Sequence, residues 1–332
     1  MEMWREIFSR MAALVTVGLL FASPAGAQTK LTGVYTAGHI SVLPLLIAKD
    51  QGFLAKRGID LDLRYVQAGS QPMSALLSGD VQLYIGTGDG ITARLAGADV
   101  LYVMGFTKVA AWGVWTPGNS PIKTMADLKG KRIGVVGGVS GSARSSVEFL
   151  LLQAQLKIDD VRYVQMASAA TTLTALETGA LEAGTLIAPE AIKGRASGMR
   201  LIGMARDHGW ESVGTSLSVM ADYLKKNRDL VKRLIEADME GIAVTQKDPT
   251  LAKRILKAAD KADDDKLIEE LFGAFQSEYL IIPEPPSAKA FQDVLNHVVS
   301  TFPNAATTNP AVFADRTLVE EIAKSGFADK LK

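Results

Sequence analysis

An internal duplication is the feature that most constrains how this chain can fold. The tetrapeptide Arg-Tyr-Val-Gln at 64–67 recurs at 162–165, and Ser-Ala-Leu-Leu-Ser-Gly at 74–79 recurs as Thr-Ala-Leu-Glu-Thr-Gly at 174–179. Both pairs keep nearly the same offset, about 100 residues. Chance similarity between two ordinary strand–helix units is the alternative, but the shared offset favours two related lobes. The length of 332 residues also suits two domains rather than one.

Short strands and helices alternate through both of these regions. Strands are predicted at 31–37, 59–66, 81–86, 100–106, 111–116, 132–136, 161–165, 183–187, 200–204 and 216–221, and helices at 42–51, 71–78, 90–96, 142–155, 171–178 and 190–196. From Asp222 onward the pattern is helical, with further helices expected at 249–259, 264–276, 287–300 and 315–325. Strands that alternate with helices predict an α/β fold of βαβ units with mostly parallel sheets.

A proline- and glycine-rich cluster at Pro117–Pro121 separates the two alternating regions. We expect one lobe to comprise 28–116 and 219–332, and the other to comprise 117–218. If the C-terminal helices pack back on the first lobe, the chain crosses twice, at Ala111–Pro121 and Gly214–Ala221. Two extended crossings form a hinge that allows closure around a ligand. The ligand is expected in the cleft between the lobes, beyond the carboxyl ends of the strands.

The N-terminus has the three parts of a secretory signal peptide. Arg5 and Arg10 precede an apolar run at 11–21, and Ala25-Gly26-Ala27 forms a cleavage site. The apolar run is too short to span a bilayer comfortably, although a membrane anchor or a buried first helix is the alternative. We therefore predict a signal peptide at 1–27, cleavage near Ala27 and a periplasmic protein.

Composition excludes several classes of function. Lys and Arg total 36 and Asp and Glu total 36, and removal of 1–27 takes two of each sign, so the balance stays at zero. This argues against nucleic acid as a partner, because such proteins usually carry a basic face. The absence of cysteine excludes disulfides, iron–sulfur clusters, zinc–cysteine sites and a cysteine nucleophile. Histidines at 39, 208 and 297 have no metal-ligand spacing, so we expect neither metal nor cofactor.

Several short motifs carry a family resemblance over nearly the whole mature chain. They are LPLLIA at 43–48, QGFL at 51–54, GIDL at 58–61, LSGDVQ at 77–82 and DLKGKRIGV at 127–135, while GALEA at 179–183 replaces a motif that commonly ends in Asp-Ala. In order and spacing the chain resembles periplasmic solute-binding proteins of ABC transporters, in the nitrate/sulfonate/taurine and thiamine-precursor-binding group. The resemblance implies the class II periplasmic binding protein fold, with two lobes, a ligand cleft and a hinge of two crossing strands. It also implies delivery of a small-molecule ligand to the transmembrane subunits of an ABC permease. We expect a monomer that does not insert directly into the membrane.

Four strand-to-helix turns are expected to point into the cleft. The candidate ligand-binding residues on them are Thr36, Gly38, His39, Thr87, Gly88, Asp89, Ser140, Gly141, Ser142 and Glu190. The turn at 137–142 is the most informative, because its small residues let backbone N–H groups approach a ligand. A serine hydroxyl and the N-terminus of the following helix would favour a carboxylate or sulfonate. The alternative is an ordinary helix cap.

The charged candidates have competing interpretations. His39 donates a hydrogen bond to the ligand or caps the next helix. Asp89 and Glu190 occupy comparable places in the two lobes, where they could receive an amine or an aminopyrimidine. Each acid could instead only stabilise its own helix N-terminus, which we prefer for Asp89. Arg144 pairs with an anion or lies on the solvated surface.

Aromatic residues near the predicted strand ends could form walls for an organic ligand. Tyr35, Trp112 and Trp115 are candidates, although aromatic side chains on strands belong to the core more often. The sequence as a whole predicts a non-enzymatic binder of a small organic anion of the sulfonate or carboxylate type.

A binder of a thiamine-precursor pyrimidine and an enzyme on the same fold are the alternatives. The fold that the resemblance implies is also used by eukaryotic thiamine-pyrimidine synthases, which depend on a cysteine-rich motif, and by cytosolic dehydratases of menaquinone synthesis. The missing cysteines and the signal peptide disfavour both enzymes, and no G-x-S-x-G motif is present.

Overall fold

Two five-stranded sheets, each covered by helices, form the described part of the chain. The computed structural model describes residues 28–66, 70–107, 112–137, 141–211, 213–279 and 281–331, so the predicted signal peptide lies outside the described residues. The strands are β1 Thr29–Tyr35, β2 Ile59–Tyr65, β3 Leu83–Gly86, β4 Val100–Gly105, β5 Gly113–Thr116, β6 Arg132–Val136, β7 Arg162–Met166, β8 Ala183–Leu186, β9 Arg200–Met204 and β10 Ser216–Met220. The first sheet has the order β2-β1-β3-β10-β4, and the second has the order β7-β6-β8-β5-β9.

The helices lie within a few residues of the predicted positions, apart from a short one at Phe53–Lys56 that was not predicted. They are α1 Leu43–Asp50, α2 Phe53–Lys56, α3 Ser70–Ser78, α4 Asp89–Leu95, α5 Ser142–Gln153, α6 Ala169–Glu177, α7 Glu190–Ala196, α8 Ala221–Lys226, α9 Arg228–Lys247, α10 Pro249–Asp260, α11 Asp265–Phe275, α12 Ala288–Val298 and α13 Thr317–Lys324. Sequence signals explain the sharp starts of the C-terminal helices. Asp248, Asp264 and Ser287 cap α10, α11 and α12 by accepting hydrogen bonds from backbone N–H groups three residues later.

The duplicated segments occupy equivalent places in the two sheets. Arg64 and Tyr65 of the first tetrapeptide end β2, the second tetrapeptide lies in β7, and both are edge strands. The second repeated motif ends α3 in one lobe and α6 in the other. In both sheets, three parallel strands in the same order are followed by one antiparallel strand and one outer strand.

The sheets correct the two predicted lobe boundaries. Strand β5 was expected in the first lobe, which we predicted to extend to 116, but it pairs with β8 and β9 of the second sheet. Strand β10 begins at Ser216 and pairs with β3 and β4 of the first sheet, although we placed the second lobe as far as 218. The chain therefore crosses between the lobes within 106–112 and within 205–215. Local hydrophobic patterning identifies β5 and β10 as strands, but it does not show which sheet each strand joins.

Each lobe has its own hydrophobic core. In the first lobe, Leu234 and Ile235 of α9 pack with Leu31 of β1 and Leu217 of β10, so the C-terminal helices return to the first sheet. In the second lobe, the apolar face of α5 packs on β6. Among the described residues, no helix combines the length and the apolar character needed to cross a membrane.

A glycine allows two helices of the first lobe to approach each other closely. A Cβ atom added to Gly241 of α9 would lie 2.0 Å from the carbonyl oxygen of Pro44 in α1. No real Cβ atom approaches a backbone oxygen so closely, so the contact between these helices requires glycine at this position. Because α1 follows the first strand-to-helix turn, this packing fixes the position of the helix that supports this turn at the cleft.

Candidate functional site

A cavity of about 300 Å³ lies between the two lobes. Its walls follow the carboxyl ends of three parallel strands in each sheet, namely β1, β2 and β3 on one side and β6, β7 and β8 on the other. The first lobe contributes Thr36, Ala37, Gly38, Ser41, Tyr65, Thr87 and Asp89, and the rest of the wall comes from Trp112, Val136, Gly137, Gly141, Ser142, Ala143, Ala167, Ser168, Ala169, Ala170, Ile187, Ala188, Pro189 and Glu190. Ligands of open parallel sheets bind at this edge.

A larger cavity, of about 540 Å³, lies beside the crossing segments and is not the better candidate. It is lined by the ends of β4 and the second crossing together with the segment 284–288. Arg316, the one cationic residue in the described part of its lining, already donates hydrogen bonds to the carbonyl oxygens of Pro285 and Pro286. The smaller cavity gathers turns from both lobes, which is the arrangement that a closing cleft needs.

The structure brings most of the predicted site residues together. Thr36, Gly38, Thr87, Asp89, Gly141, Ser142 and Glu190 all line the interlobe cavity. His39 and Gly88 belong to the same turns but are not among the lining residues. Ser140 lies outside the described residues, and its contact with a ligand stays a prediction.

The second lobe presents two helix N-termini to the cavity. Gly141 precedes α5 in an extended conformation, and Ser142 begins this twelve-residue helix. Ser168 caps the nine-residue α6, and its Oγ accepts a hydrogen bond from the Thr171 N–H at 3.2 Å. The first N–H groups of a helix have no partner within the helix, and the helix dipole favours negative charge near them. This side of the cavity therefore suits an anionic group.

Ser142 is held by an aromatic side chain of the first crossing. Trp112 Nε1 donates a hydrogen bond to Ser142 Oγ over 3.0 Å. The hydroxyl oxygen of Ser142 therefore has an assigned donor, and its proton is available to an acceptor in the cavity. Trp112 lines the cavity as predicted, whereas Trp115 and Tyr35 belong to the hydrophobic cores.

Asp89 is held from below by a tyrosine. It begins α4, and its Oδ2 accepts a hydrogen bond from the Tyr84 hydroxyl at 2.5 Å. Burial raises the pKa of the Asp89 carboxyl, and the hydrogen bond from Tyr84 opposes that rise. The tyrosine thus fixes one oxygen of this acid, and its role at the N-terminus of its own helix stays a prediction.

Glu190 begins α7 and is largely buried, with 15% of its side chain exposed. Lys193, one turn later, places its Nζ 3.5 Å from Oε1 and is itself about half exposed. Burial raises the pKa of the Tyr65 hydroxyl, and the charge of Glu190 raises it further. Because Tyr65 ends β2 in the first lobe and Glu190 belongs to the second, this interaction joins the two walls of the cleft.

Tyr65 is a cavity residue that sequence reasoning missed. It lies in the repeated tetrapeptide, but we interpreted it only as an alternating strand residue. Its position as the last residue of β2 was the available signal, because strand ends line the cleft. Ser41 and Ser168 were also missed, since no local pattern separates them from ordinary turn or cap residues.

His39 contacts a partner that the sequence did not suggest. Its Nδ1 lies 2.6 Å from Oδ1 of Asp260, at the end of α10. Its ring packs against Tyr35 and Tyr65, with a centroid distance of 5.7 Å to each. Burial, followed by the charge of Asp260, raises the pKa of Tyr35 to about 12. His39 thus supports Tyr65 from the side.

Arg144 is engaged within its own lobe. It forms an ion pair with Glu148 one turn along α5, and its guanidinium lies 3.2 Å from the centroid of the Tyr163 ring. With 21% of its side chain exposed, Arg144 does not lie on a fully solvated surface, and its pairing with a ligand anion stays a prediction. Arg144 is not among the residues that line the cavity.

The chemical character of the cavity follows from its described walls. Among the residues described there, the lining includes two carboxylic acids, several hydroxyls and two aromatic rings, and no lysine, arginine or histidine. Across the described ranges, no group of three or more acids or histidines is arranged to hold a metal ion. Hydroxyls and N–H groups can receive an anion, and the carboxylates can receive a hydrogen-bond donor.

Comparison with known proteins gives one family and several similar proteins. The profile of the NMT1/THI5-like family matches residues 39–252. An Escherichia coli K12 protein, named as a candidate aliphatic sulfonates-binding protein, is 28% identical over 242 residues, which cover 71% of this chain and 73% of that protein. A Brucella abortus candidate binding protein is also 28% identical, over 69% of this chain and 65% of its own length, slightly under two thirds.

Solved structures share the fold at low sequence identity. The alkanesulfonate-binding protein SsuA from Xanthomonas axonopodis pv. citri, bound to MOPS, has a TM-score of 0.71 and 20% identity, and covers 88% of this chain and 100% of its own. The desulfurization enzyme DSZB has a TM-score of 0.62 and 18% identity, over 89% of this chain and 99% of its own. These similarities confirm the periplasmic binding protein fold. At such identities the enzyme and the binding proteins are similar to this chain in fold alone.

Proposed function

This chain belongs to the NMT1/THI5-like family, and from that premise we propose that it is the periplasmic solute-binding component of an ABC importer. It captures a small organic anion, of the sulfonate or carboxylate type, between its lobes. The loaded protein then delivers the anion to the transmembrane subunits of a permease. Export through the predicted signal peptide would bring the protein to that compartment.

The interlobe cavity is the observation that carries this proposal. It is small, it is built by strand ends from both lobes, and the N-termini of α5 and α6 face it. Interlobe clefts of this kind are common sites for small molecules. The named relatives that bind sulfonates support an anionic ligand, since hydroxyls and unpaired N–H groups recognise a sulfonate through several hydrogen bonds.

Binding is coupled to closure because the walls belong to different lobes. The chain crosses between the sheets only through two segments among the described residues, within 106–112 and within 205–215. A ligand that contacts both walls stabilises the closed arrangement by its differential affinity for the two states. The permease can then distinguish loaded from empty protein by the relative position of the lobes.

A ligand screen tests this function. The mature protein is heated with alkanesulfonates, aminoalkanesulfonates, aliphatic carboxylates and aminopyrimidines, and a binder raises the melting temperature because it stabilises the native state by RT ln(1 + [L]/Kd). Calorimetry then gives the stoichiometry and the affinity of each hit. Stabilisation by anions with a stoichiometry near one supports the proposal, whereas no shift with any anion contradicts it.

Substitution of Ser142 links the hit to this cavity. Ser142→Ala removes a hydroxyl donor at the start of α5, and we expect an anion to lose about 1.5 to 3 kcal/mol of binding free energy, as for a hydrogen bond to a charged group. Ser197→Ala, in the same lobe but outside the cavity, is the matched control. Equal affinity of both variants would remove Ser142 from the site.

We also propose that the chain binds its ligand without turnover. The described lining residues include no cysteine and no histidine, and the described side-chain partner of the Ser142 hydroxyl is Trp112, a donor that cannot take its proton. Nucleophilic catalysis by serine requires such a base. Recovery of each hit unchanged after prolonged incubation supports a binder, whereas a converted product favours the enzyme.

A further inference from the structure

We propose that Asp260 is a positioning residue of the interlobe site: it holds the imidazole of His39, and His39 in turn fixes the ring of Tyr65 on the cavity wall. Asp260 itself is not among the described residues that line the cavity. It therefore acts on a ligand only through the two side chains that lie between them. The inference depends on the proposed function in one respect, since the affinity that Asp260 controls is that of the interlobe cavity.

The contact between Asp260 and His39 joins distant parts of the first lobe. Nδ1 of His39 lies 2.6 Å from Oδ1 of Asp260, at the end of α10. A carboxylate can only accept a hydrogen bond, so Nδ1 carries the donated proton, and Nε2 of a neutral ring is left as an acceptor. The two side chains are 24% and 22% exposed, so water competes only weakly for this bond.

The end of α10 is built against local preference. A carboxylate in the last turn of a helix meets the negative end of the helix dipole, which disfavours it. The next residue, Lys261, ends the helix with a φ of 49°, in the left-handed region that favours glycine or asparagine. Two locally unfavourable features in succession are typical of a functional position, and this one places the carboxylate against His39.

Three rings connect this bond to the cavity. Tyr35 and Tyr65 end the neighbouring parallel strands β1 and β2 and are partners in register. The His39 ring lies against both, with centroids 5.7 Å away, and the two tyrosine rings are 5.5 Å apart. Tyr35 is buried, whereas Tyr65 is 47% exposed and lines the cavity. Such an exposed ring is oriented by the groups packed beside it, so rotation of His39 would release Tyr65.

A fixed wall lowers the entropic cost of binding. A tyrosine that moves freely in the empty protein must be immobilised when a ligand contacts it, and this takes up part of the binding free energy. The bond between Asp260 and His39 provides that order when the protein folds. Loss of the bond should therefore weaken any ligand that contacts Tyr65, although the groups that touch the ligand are unchanged.

NMR of the histidine rings tests the first step without a ligand. The chain has only three histidines, and long-range proton–nitrogen spectra at about pH 8 show which ring nitrogen of each carries the proton. We expect Nδ1–H for His39 in the wild type and in Asp260→Asn, whose amide oxygen still accepts, and a change to Nε2–H in Asp260→Ala. A wild-type His39 with its proton on Nε2 overturns the inference, even if no variant folds.

Calorimetry with butanesulfonate and MOPS as probes tests the second step. We expect Asp260→Ala to bind each probe about fivefold to tenfold more weakly, and Asp260→Asn to recover most of the affinity. Asp263→Ala removes an exposed acid three residues later and should bind like the wild type. The melting temperature of Asp260→Ala should stay within about 2 °C of the wild type, because relief at the helix end offsets the lost hydrogen bond.

The outcomes separate this inference from the proposed function. Wild-type affinity in Asp260→Ala, or an equal loss in Asp263→Ala, overturns the positioning role and leaves the proposed function standing. A melting temperature that falls in proportion to the affinity assigns Asp260 a purely structural role and also overturns the inference. If the wild type binds neither these probes nor any anion of the ligand screen, the proposed function is contradicted, and the NMR result alone decides whether Asp260 holds His39.

Discussion

The buried carboxyl group of Asp238 provides a test of the fold, because its protonation makes the unfolding free energy depend on pH. The residue lies in α9 with no exposed surface, and neither of its carboxyl oxygens has a hydrogen-bond partner among the described residues. Burial raises the pKa of Asp238 from 3.8 to about 8. The folded state therefore favours the protonated form, so the stabilising effect is complete below pH 3.8 and is lost as pH rises towards and through 8.

The magnitude follows from the linkage between proton binding and folding. Between the unfolded and folded pKa values, each pH unit removes about 1.4 kcal/mol of unfolding free energy. From about pH 5 to about pH 8 the loss from this single group amounts to about 3 to 4 kcal/mol. Asp238→Asn is nearly isosteric and cannot ionise, so it removes this pH dependence whatever its own cost in packing.

Urea unfolding, followed by circular dichroism at several pH values, measures the effect. The unfolding free energy of the Asp238→Asn variant relative to wild type should rise by about 3 to 4 kcal/mol across that range. Asp229→Asn, an exposed acid on the same helix, should leave the wild-type pH dependence unchanged. If wild type and Asp238→Asn change in parallel to within about 1 kcal/mol, the buried carboxyl does not titrate as reasoned.

Two further predictions concern packing and the cleft. Gly241→Ala should lower the unfolding free energy by about 2 to 3 kcal/mol, because its Cβ would meet the Pro44 carbonyl oxygen at 2.0 Å. Gly273→Ala, at a helix position with open space around the added Cβ atom, is the control and should be neutral or stabilising by up to about 1 kcal/mol. Urea unfolding of both variants measures the two changes in unfolding free energy. Trp112→Phe keeps an aromatic wall but removes the donor to Ser142, so we expect about tenfold weaker anion binding by calorimetry with an unchanged melting temperature. Unchanged affinity would show that Ser142 is positioned without this hydrogen bond.

Much of the fold could be predicted from local signals. The alternation of apolar residues located the ten strands that the structure describes, and capping residues located the C-terminal helices. The duplication predicted two lobes because repeated segments tend to take equivalent places, and β2 and β7 do so. The lobe boundaries were wrong because an antiparallel strand has the same pattern in either sheet. Only hydrogen bonding assigned β5 and β10 to their sheets.

The candidate site was predictable in outline and not in its contacts. Turns that follow parallel strands are exposed at one edge of a sheet, so Thr36, Thr87 and Glu190 could be named from their positions alone. The partners of these turns come from distant segments. Asp260 lies 221 residues from His39, and no local pattern joins them. Arg144 likewise contacts Glu148 and the Tyr163 ring, and the sequence analysis named neither partner.

The sequence by itself determined the two α/β lobes, the family resemblance and the turns that face the cleft, because each of these depends on neighbours along the chain. Only the tertiary structure decided how the charges are distributed around the cavity. It placed two carboxyl groups inside, held one of them with Tyr84, and brought Tyr65 of one lobe near Glu190 of the other. The physical reason is that the environment of a charge is set by whatever surrounds it in space, and those surroundings come from segments that sequence order keeps apart.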